Sequence, residues 1–345
     1  MISITKSFKK LIEKARMEQS NDIYKLESIY FQQPFILIGV DLLDYQRRIY
    51  IDVTDEGWDS EQLKSFPKWR GISIDQEYFE HIGPLKEKTF LIISQNVEDS
   101  EEIFEKVLQN LVDHILTQEQ LQLYKTVYEV LDRWHNFFKR KFDKSLTLEE
   151  EMGLFGELYY IKRWLSSNAQ EPPLIIKDWK GPLKNRIDFV NKSSGVEIKT
   201  VSPKIRDEIR ISSEKQLEVS PVINDLQLYV LKIEVSESVG QTLQQMIEEI
   251  ESILLKRAPS LAVKFNDLLL ESGVSSDDYD SNYFYVHEEL AYQVGDSFPR
   301  ITSKNLPIGI TNVSYTIDLS HCKAFIIPID KVFNSNQSKG ESTYE

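Results

Sequence analysis

The hydrophobic period changes several times along the chain, and each change marks an element. The opening stretch, "MISITKSFKKLIEKARMEQSNDIYKL", has no apolar run with a small-residue cleavage site, so it reads as a helix and not as a leader. Residues 35–95 are β-rich. "RRIYIDV" alternates and "TFLIIS" is continuous, with turn signals at Asp55-Glu56-Gly57 and Gly83-Pro84. From Ser100 the period becomes helical: Ile103, Val107, Leu111 and Ile115 recur every four residues behind a serine N-cap. A second helix, over roughly 118–141, sets Leu121, Tyr124, Tyr128, Leu131 and Trp134 on one face.

A third helix begins at "TLEEEMGLFGELYYIKRWL". Thr147 and Glu150 have capping-box spacing, and Leu154, Leu158, Ile161 and Leu165 form its apolar stripe. Glu157 lies inside that stripe. A carboxylate buried there without a partner is costly, so it either reaches a metal, a base or the edge of a cleft, or snorkels to solvent as a boundary residue. Gly153 and Gly156 each cost about 1 kcal/mol relative to alanine in a helix interior, which predicts a close neighbour.

After a predicted strand near 174–179 comes "RIDFVNKSSGVEIKT", residues 186–200, two short strands joined through 191–195. Period two places Ile187, Phe189, Val196 and Ile198 on one face and Asp188, Glu197 and Lys199 on the other. Such a face is either a chemical site or charges that simply meet water. "EIRIS" follows as a short strand. "SEKQL" predicts a helix with Ser213 as N-cap and Gln216 three residues on. "LQLYVLKIEV" is an inner strand, 241–257 a helix, and the stretches from "NYFYVHEELAYQVG" through "GITNVSYTIDL" to "KAFIIPI" return to strands. The last dozen residues, almost without apolar content, are expected to be disordered, and no internal repeat is present.

Composition narrows the classes. The chain has 345 residues, 41% hydrophobic and 28% charged, enough for two domains or one elaborated domain of an ordinary soluble protein. Its most apolar stretch, "FILIGVDLL", is too short to span a bilayer and is broken by Asp41. Cys322 is the single cysteine, which excludes an internal disulfide and predicts a cytoplasmic location. The net charge of -14 argues against indiscriminate nucleic-acid binding. Residues 177–215 reverse the sign locally, with ten Lys and Arg against six Asp and Glu.

Several chemistries drop out. His81, His114, His135, His287 and His321 are scattered, without zinc-ligand spacing. The phosphate-binding GxxxxGK[ST] and GxGxxG loops are absent, as is the GxSxG of serine hydrolases. A glycosidase reading of the paired acids leaves Lys199 and the basic island unexplained.

The order of helix with Glu157, strand, hairpin, helix with Gln216 and inner strand resembles the core of the PD-(D/E)XK nuclease superfamily. There an acid on one strand and an acid-x-Lys on the next converge at one edge of a mixed sheet. The matching residues are Asp188, Glu197 and the Lys199 of "EIK"; Ile187 stands where the motif has proline, which many members also lack. The chain is most similar to a bacterial family of unknown function within the superfamily, often encoded in restriction-like and phage-defence gene clusters. "GLFGEL", Trp179-Lys180-Gly181-Pro182, "IDF", "VEIKT", "IRISSEKQL", "FPRI" and "LPIGITNVSY" carry that similarity, strongest over 147–330.

The resemblance implies an α/β (α+β) protein. It places a restriction-endonuclease-like core, with a mixed central sheet flanked by helices, over 146–258. A β-rich N-terminal domain (1–98) and a helical connector (99–145) precede it; a β-containing α+β extension (259–332) and a disordered tail (333–345) follow. It implies a metal-dependent endonuclease that hydrolyses phosphodiester bonds in DNA as part of a bacterial restriction or phage-defence system. Asp188, Glu197 and the Ile198 carbonyl would ligate Mg²⁺, for which Mn²⁺ substitutes. Lys199 would orient the attacking water or stabilise the pentacovalent phosphate, and Glu157 would add a carboxylate. Gln216 falls where the superfamily often has a functional polar side chain, although capping accounts for it equally. The implied partners are DNA, ATPase/helicase or methyltransferase proteins of the same system, and a second copy in a homodimer, with no membrane. The alternative is a catalytically inactive nuclease-fold module that binds nucleic acid or acts as a scaffold.

Overall fold

A computed structural model describes residues 2–17, 24–43, 45–96, 101–118, 120–141, 146–203, 207–274 and 281–334. The chain divides into two compact units, Met1–Asp143 and Lys144–Glu345.

The first unit is built on α1 (Ile4–Met17), β1 (Tyr24–Tyr30), β2 (Ile36–Asp41), β3 (Arg47–Asp52), α2 (Ser60–Ser65), β4 (Ile72–Ile82), β5 (Leu85–Gln95), α3 (Glu101–Thr117) and α4 (Leu123–Lys141). Its strands form one antiparallel sheet in the order β1-β2-β3-β5-β4. The continuous apolar runs fall on inner strands: β2 buries five successive residues, Ile36 to Val40, while the outer strand β4 is mostly exposed along its length. Val107, Leu111, Ile115, Leu131 and Trp134 are buried as expected, while Ile103 and Tyr128 depart from the expected faces. Ile103 is 47% exposed because the buried face of α3 centres on Phe104, Leu108 and Leu111. In α4 the core side is Leu123, Val127, Val130, Leu131, Trp134 and Phe137. Its tyrosines stand at the rim, where Tyr124 meets Trp58 edge-to-face and Phe66 at a tilt and keeps its hydroxyl on Ser65. Ser100 lies outside the described residues.

The second unit contains α5 (Leu148–Ser167), α6 (Ile175–Asp178), β6 (Phe189–Asn191), β7 (Ser194–Val201), β8 (Glu208–Ile211), β9 (Asp225–Ser236), β10 (Gln241–Thr242), α7 (Leu243–Arg257), α8 (Pro259–Glu271), β11 (Tyr283–Val294), β12 (Tyr315–Asp318), β13 (Ile326–Ile327) and α9 (Ile329–Asn334). Its sheet runs β10-β11-β9-β7-β6, with β13 also on β11; β7 and β9 are parallel and the other pairs antiparallel. This is an α+β fold around a mixed sheet.

Alternation along β7 and β9 feeds two cores. Val196, Ile198, Tyr229, Leu231 and Ile233 join the helices on one face. Leu226, Leu228 and Val230 face a second core with Ile209, Ile211, Leu217 and Ile317. Helices therefore cover one face, and a two-stranded ribbon, β8 with β12, closes the other.

Two predicted elements differ. Residues 174–179 are not a strand. Ile175–Asp178 form one helical turn, because Pro172 and Pro173 lead into it and the Lys177 and Trp179 amides donate to Leu174 and Ile175; the apolar run Leu174-Ile175-Ile176 fits either geometry. "SEKQL" is a pair of turns and not a helix. The guanidinium of Arg186 donates to the Lys215 and Glu218 carbonyls, which would otherwise point along a helix axis, and Pro221 follows. Residues 335–345 lie outside the described residues, and Phe333, at the start of the tail read from the sequence, is buried in α9.

Candidate active site

The cleft arises where a short strand stops. β6 pairs with β7 only from Phe189 opposite Val196 to Asn191 opposite Ser194, so among the described residues β7 has no outer neighbour strand beyond Val196. The turn is two residues, Lys192 and Ser193, with Lys192 at φ 48°, tighter than the five-residue turn read from the sequence. Register places Asp188 across from Glu197.

Asp188 itself lies in a bend just before β6. The Lys180 and Gly181 amides donate to its carbonyl at 2.6 and 3.2 Å, which holds the bend and breaks the alternation. Ile187 consequently joins the second core instead of sharing a face with Phe189. The side chain of Asp188 turns to the open edge, where Oδ2 accepts from the Ile198 amide at 2.8 Å. A strand residue offers its N–H and C=O to the same edge, so the Ile198 carbonyl opens on this cleft as well.

Glu197 and Lys199 follow on one face of β7. Lys199 Nζ lies 2.8 Å from Glu197 Oε1 and donates to Gln216 Oε1 at 3.4 Å. Gln216 Oε1 also accepts from the Ser212 amide at 3.0 Å, so one oxygen both caps its turn and holds the lysine. Glu157 projects from α5, where the predicted capping box of Thr147 and Glu150 is formed. Its Oε2 accepts from the indole N–H of the fully buried Trp179 at 2.5 Å. A Cβ on Gly181 would overlap that carboxylate, so the glycine makes the approach possible. The two helix glycines behave differently: a Cβ at Gly156 would overlap the Thr200 methyl, whereas Gly153 faces open space at the cleft.

These residues line a cleft of about 570 Å³ that also takes in Glu149, Glu208, Arg210 and Ser212. The structure thus brings Glu157, Asp188, Glu197, Ile198, Lys199 and Gln216 together in one place. Sequence reasoning assigned no role to Trp179 or Gly181, although their motif was visible, and none to Arg210, which the alternation of "EIRI" points out of the core.

Glu197 is 1% exposed, so the charges of this hairpin do not simply meet water. Burial, then the neighbouring charge of Asp188, pushes its carboxyl up to about 8, against the opposing pull of Lys199. Glu157 is raised well above its ordinary range by burial and by Asp188. Burial also raises Asp188, while the Ile198 amide and Lys199 pull it down. Burial works against a charged Lys199, but Glu197 outweighs it and holds the ammonium above its usual value.

Glu197 Oε2 is buried with no hydrogen-bond partner, and Oε1 has only the ion-pair contact to Lys199. An orphaned carboxyl oxygen beside a second acid and an open carbonyl is a hard-oxygen donor set, which suits a divalent cation such as Mg²⁺ that keeps several waters and favours the ionised form. Among the described residues no three His, Cys, Asp or Glu side chains are grouped to hold a metal by themselves. Two carboxylates and a backbone carbonyl are what this site provides.

Neither a curated protein nor a solved structure matches the chain. Residues 6–320 match the family described as "Putative PD-(D/E)XK family member, (DUF4420)", and the chain, with Asp188, Glu197 and Lys199 converging at the sheet edge, belongs to that family.

Proposed function

We propose that this protein is a divalent-cation-dependent endonuclease that hydrolyses phosphodiester bonds in DNA, in a restriction or phage-defence setting. The observation that carries the reading is the buried, partnerless Oε2 of Glu197 beside Asp188 and Lys199 at the open edge of β7. Asp188, Glu197 and the Ile198 carbonyl would hold Mg²⁺, or Mn²⁺ in its place. When bound, the ion supplies charge neutralisation for the phosphate and a more acidic water.

The remaining roles belong to the chain. Water attacks phosphorus, the bond to the leaving oxygen breaks, and negative charge grows on the equatorial oxygens. Lys199, its ammonium fixed between Glu197 and Gln216, stabilises that charge from a preorganised position. Glu157, oriented by Trp179, adds a carboxylate at the side of Asp188. Residues 1–98 serve substrate or partner choice, since the catalytic groups all come from the second unit. No helix among the described residues is long and apolar enough to cross a membrane. Double-strand cleavage by a single-site core calls for a dimer, and ATPase or methyltransferase partners fit the proposed setting.

A second reading, an inactive scaffold with this fold, draws on the lack of a three-side-chain metal group among the described residues. Cleavage of supercoiled plasmid with Mg²⁺ or Mn²⁺ separates the two. Wild type is expected to cut, Lys199→Ala to cut about 100-fold or more slowly, and Asp188→Ala not to cut. Equal cutting by all three would refute the nuclease site, and Mn²⁺ binding that ignores Asp188→Ala would favour the scaffold.

A further inference from the structure

A phosphodiester must enter a cleft that is mostly acidic. Its lining carries the carboxylates of Glu149, Glu157, Asp188, Glu197 and Glu208, and only two cations, Lys199 and Arg210. Lys199 is already committed to Glu197 and Gln216. Arg210 is exposed, and its side chain has no hydrogen bond or ion pair to any described residue. It is therefore the one uncommitted cation among the described residues that line this cleft.

The mounting of Arg210 is rigid. It stands on β8 between Ile209 and Ile211, both anchored in the second core, and β8 is paired to β12 with Thr316 opposite Arg210. The backbone is held on both counts, while the side chain is exposed, turned away from the second core, and the residue lines the cleft. A fork of donors on a fixed strand suits two oxygens of one phosphate better than a lysine would.

We infer that Arg210 is a substrate-binding residue that grips a backbone phosphate of the nucleic acid beside the phosphodiester being cut. The inference rests on the nuclease reading and adds the group that brings the anionic substrate in against the carboxylates. A backbone contact carries no sequence information, so its loss weakens all sequences alike.

The test uses the full chain and a fluorescein-labelled DNA duplex of about 20 base pairs, with Ca²⁺ in place of Mg²⁺, read by anisotropy between about 50 and 200 mM salt. Arg210→Ala is expected to weaken binding about tenfold for unrelated sequences and to lower the slope of log K against log salt by about 1. Arg210→Lys should keep the slope and recover part of the affinity, and in cleavage Arg210→Ala should raise KM more than it lowers kcat. Because the side chain is exposed, the melting temperature should not move. Unchanged affinity and slope in Arg210→Ala, or no binding of the duplex by wild type, overturns the inference. Asp188-dependent plasmid cleavage, measured in parallel, decides whether the nuclease reading falls with it.

Discussion

In the N-terminal unit Asp52 is buried at the end of β3, yet each oxygen has a partner: hydrogen bonds at Oδ1, and an ion pair without a hydrogen bond at Oδ2. Oδ1 accepts from the Thr54 amide at 3.0 Å and hydroxyl at 2.5 Å, and Oδ2 lies 2.9 Å from Lys88 Nζ. Glu105, also buried, has Arg47 Nε at 2.6 Å. In the C-terminal unit Glu197 is buried at least as deeply, but one oxygen has no partner and the other shares Lys199 with the field of Asp188 and Glu157. Burial tends to raise both acids. Thr54 and Lys88 more than offset it at Asp52, whose carboxyl ends below its ordinary range, whereas Glu197 ends at about 8. A paired buried acid serves stability; an acid left short of partners lowers the stability of the empty fold and is what a cation or substrate can relieve.

The largest effect should come from removing the deficit. Glu197→Gln is expected to abolish cleavage, by about 1,000-fold or more, while raising the melting temperature of the cation-free protein, because the cost of burying an acid that must take up a proton on folding is gone. A variant both inactive and less stable would place Glu197 with the structural acids. The mirror experiment is Lys88→Met, which strands Asp52 in the first unit. It should cost about 2 kcal/mol in denaturant unfolding, less than a fully buried pair because the Thr54 bonds remain.

The pH response should differ in sign between the two acids. Asp52, held below its ordinary 3.8, contributes stability that is present above that value and lost as pH falls. Glu197, raised from 4.5 to about 8, contributes stability that is fully present below 4.5 and lost as pH rises through about 8. Cation-free wild type should therefore lose melting temperature between these two values, and Glu197→Gln should lose less. Parallel curves for the two would contradict the contrast.

The smallest effect separates cleft from core within one helix. Gly153→Ala meets open space and should gain about 1 kcal/mol by calorimetry. Gly156→Ala, which meets Thr200, should destabilise.

Period two was sufficient to place Glu197 and Lys199 on one face of β7, and the capping box to start α5, because both signals are local. What escaped was set by contacts outside the period of a single element. Arg186 takes the Lys215 and Glu218 carbonyls and leaves Gln216 on a turn. The Lys180 and Gly181 amides bend the chain at Asp188 and send Ile187 to the other core. Pairing of β8 with β12, more than 100 residues apart, roofs the second face and aims Arg210. The depth of Glu197 follows from that roof, and no local pattern reports it.

The most direct test is calorimetric titration of Mn²⁺ into wild type and Asp188→Ala, with melting temperatures taken on the same samples. The account predicts binding to wild type with a rise in its melting temperature, and loss of both in Asp188→Ala. Equal Mn²⁺ affinity in the two proteins, or binding that leaves wild-type stability unchanged, would contradict it.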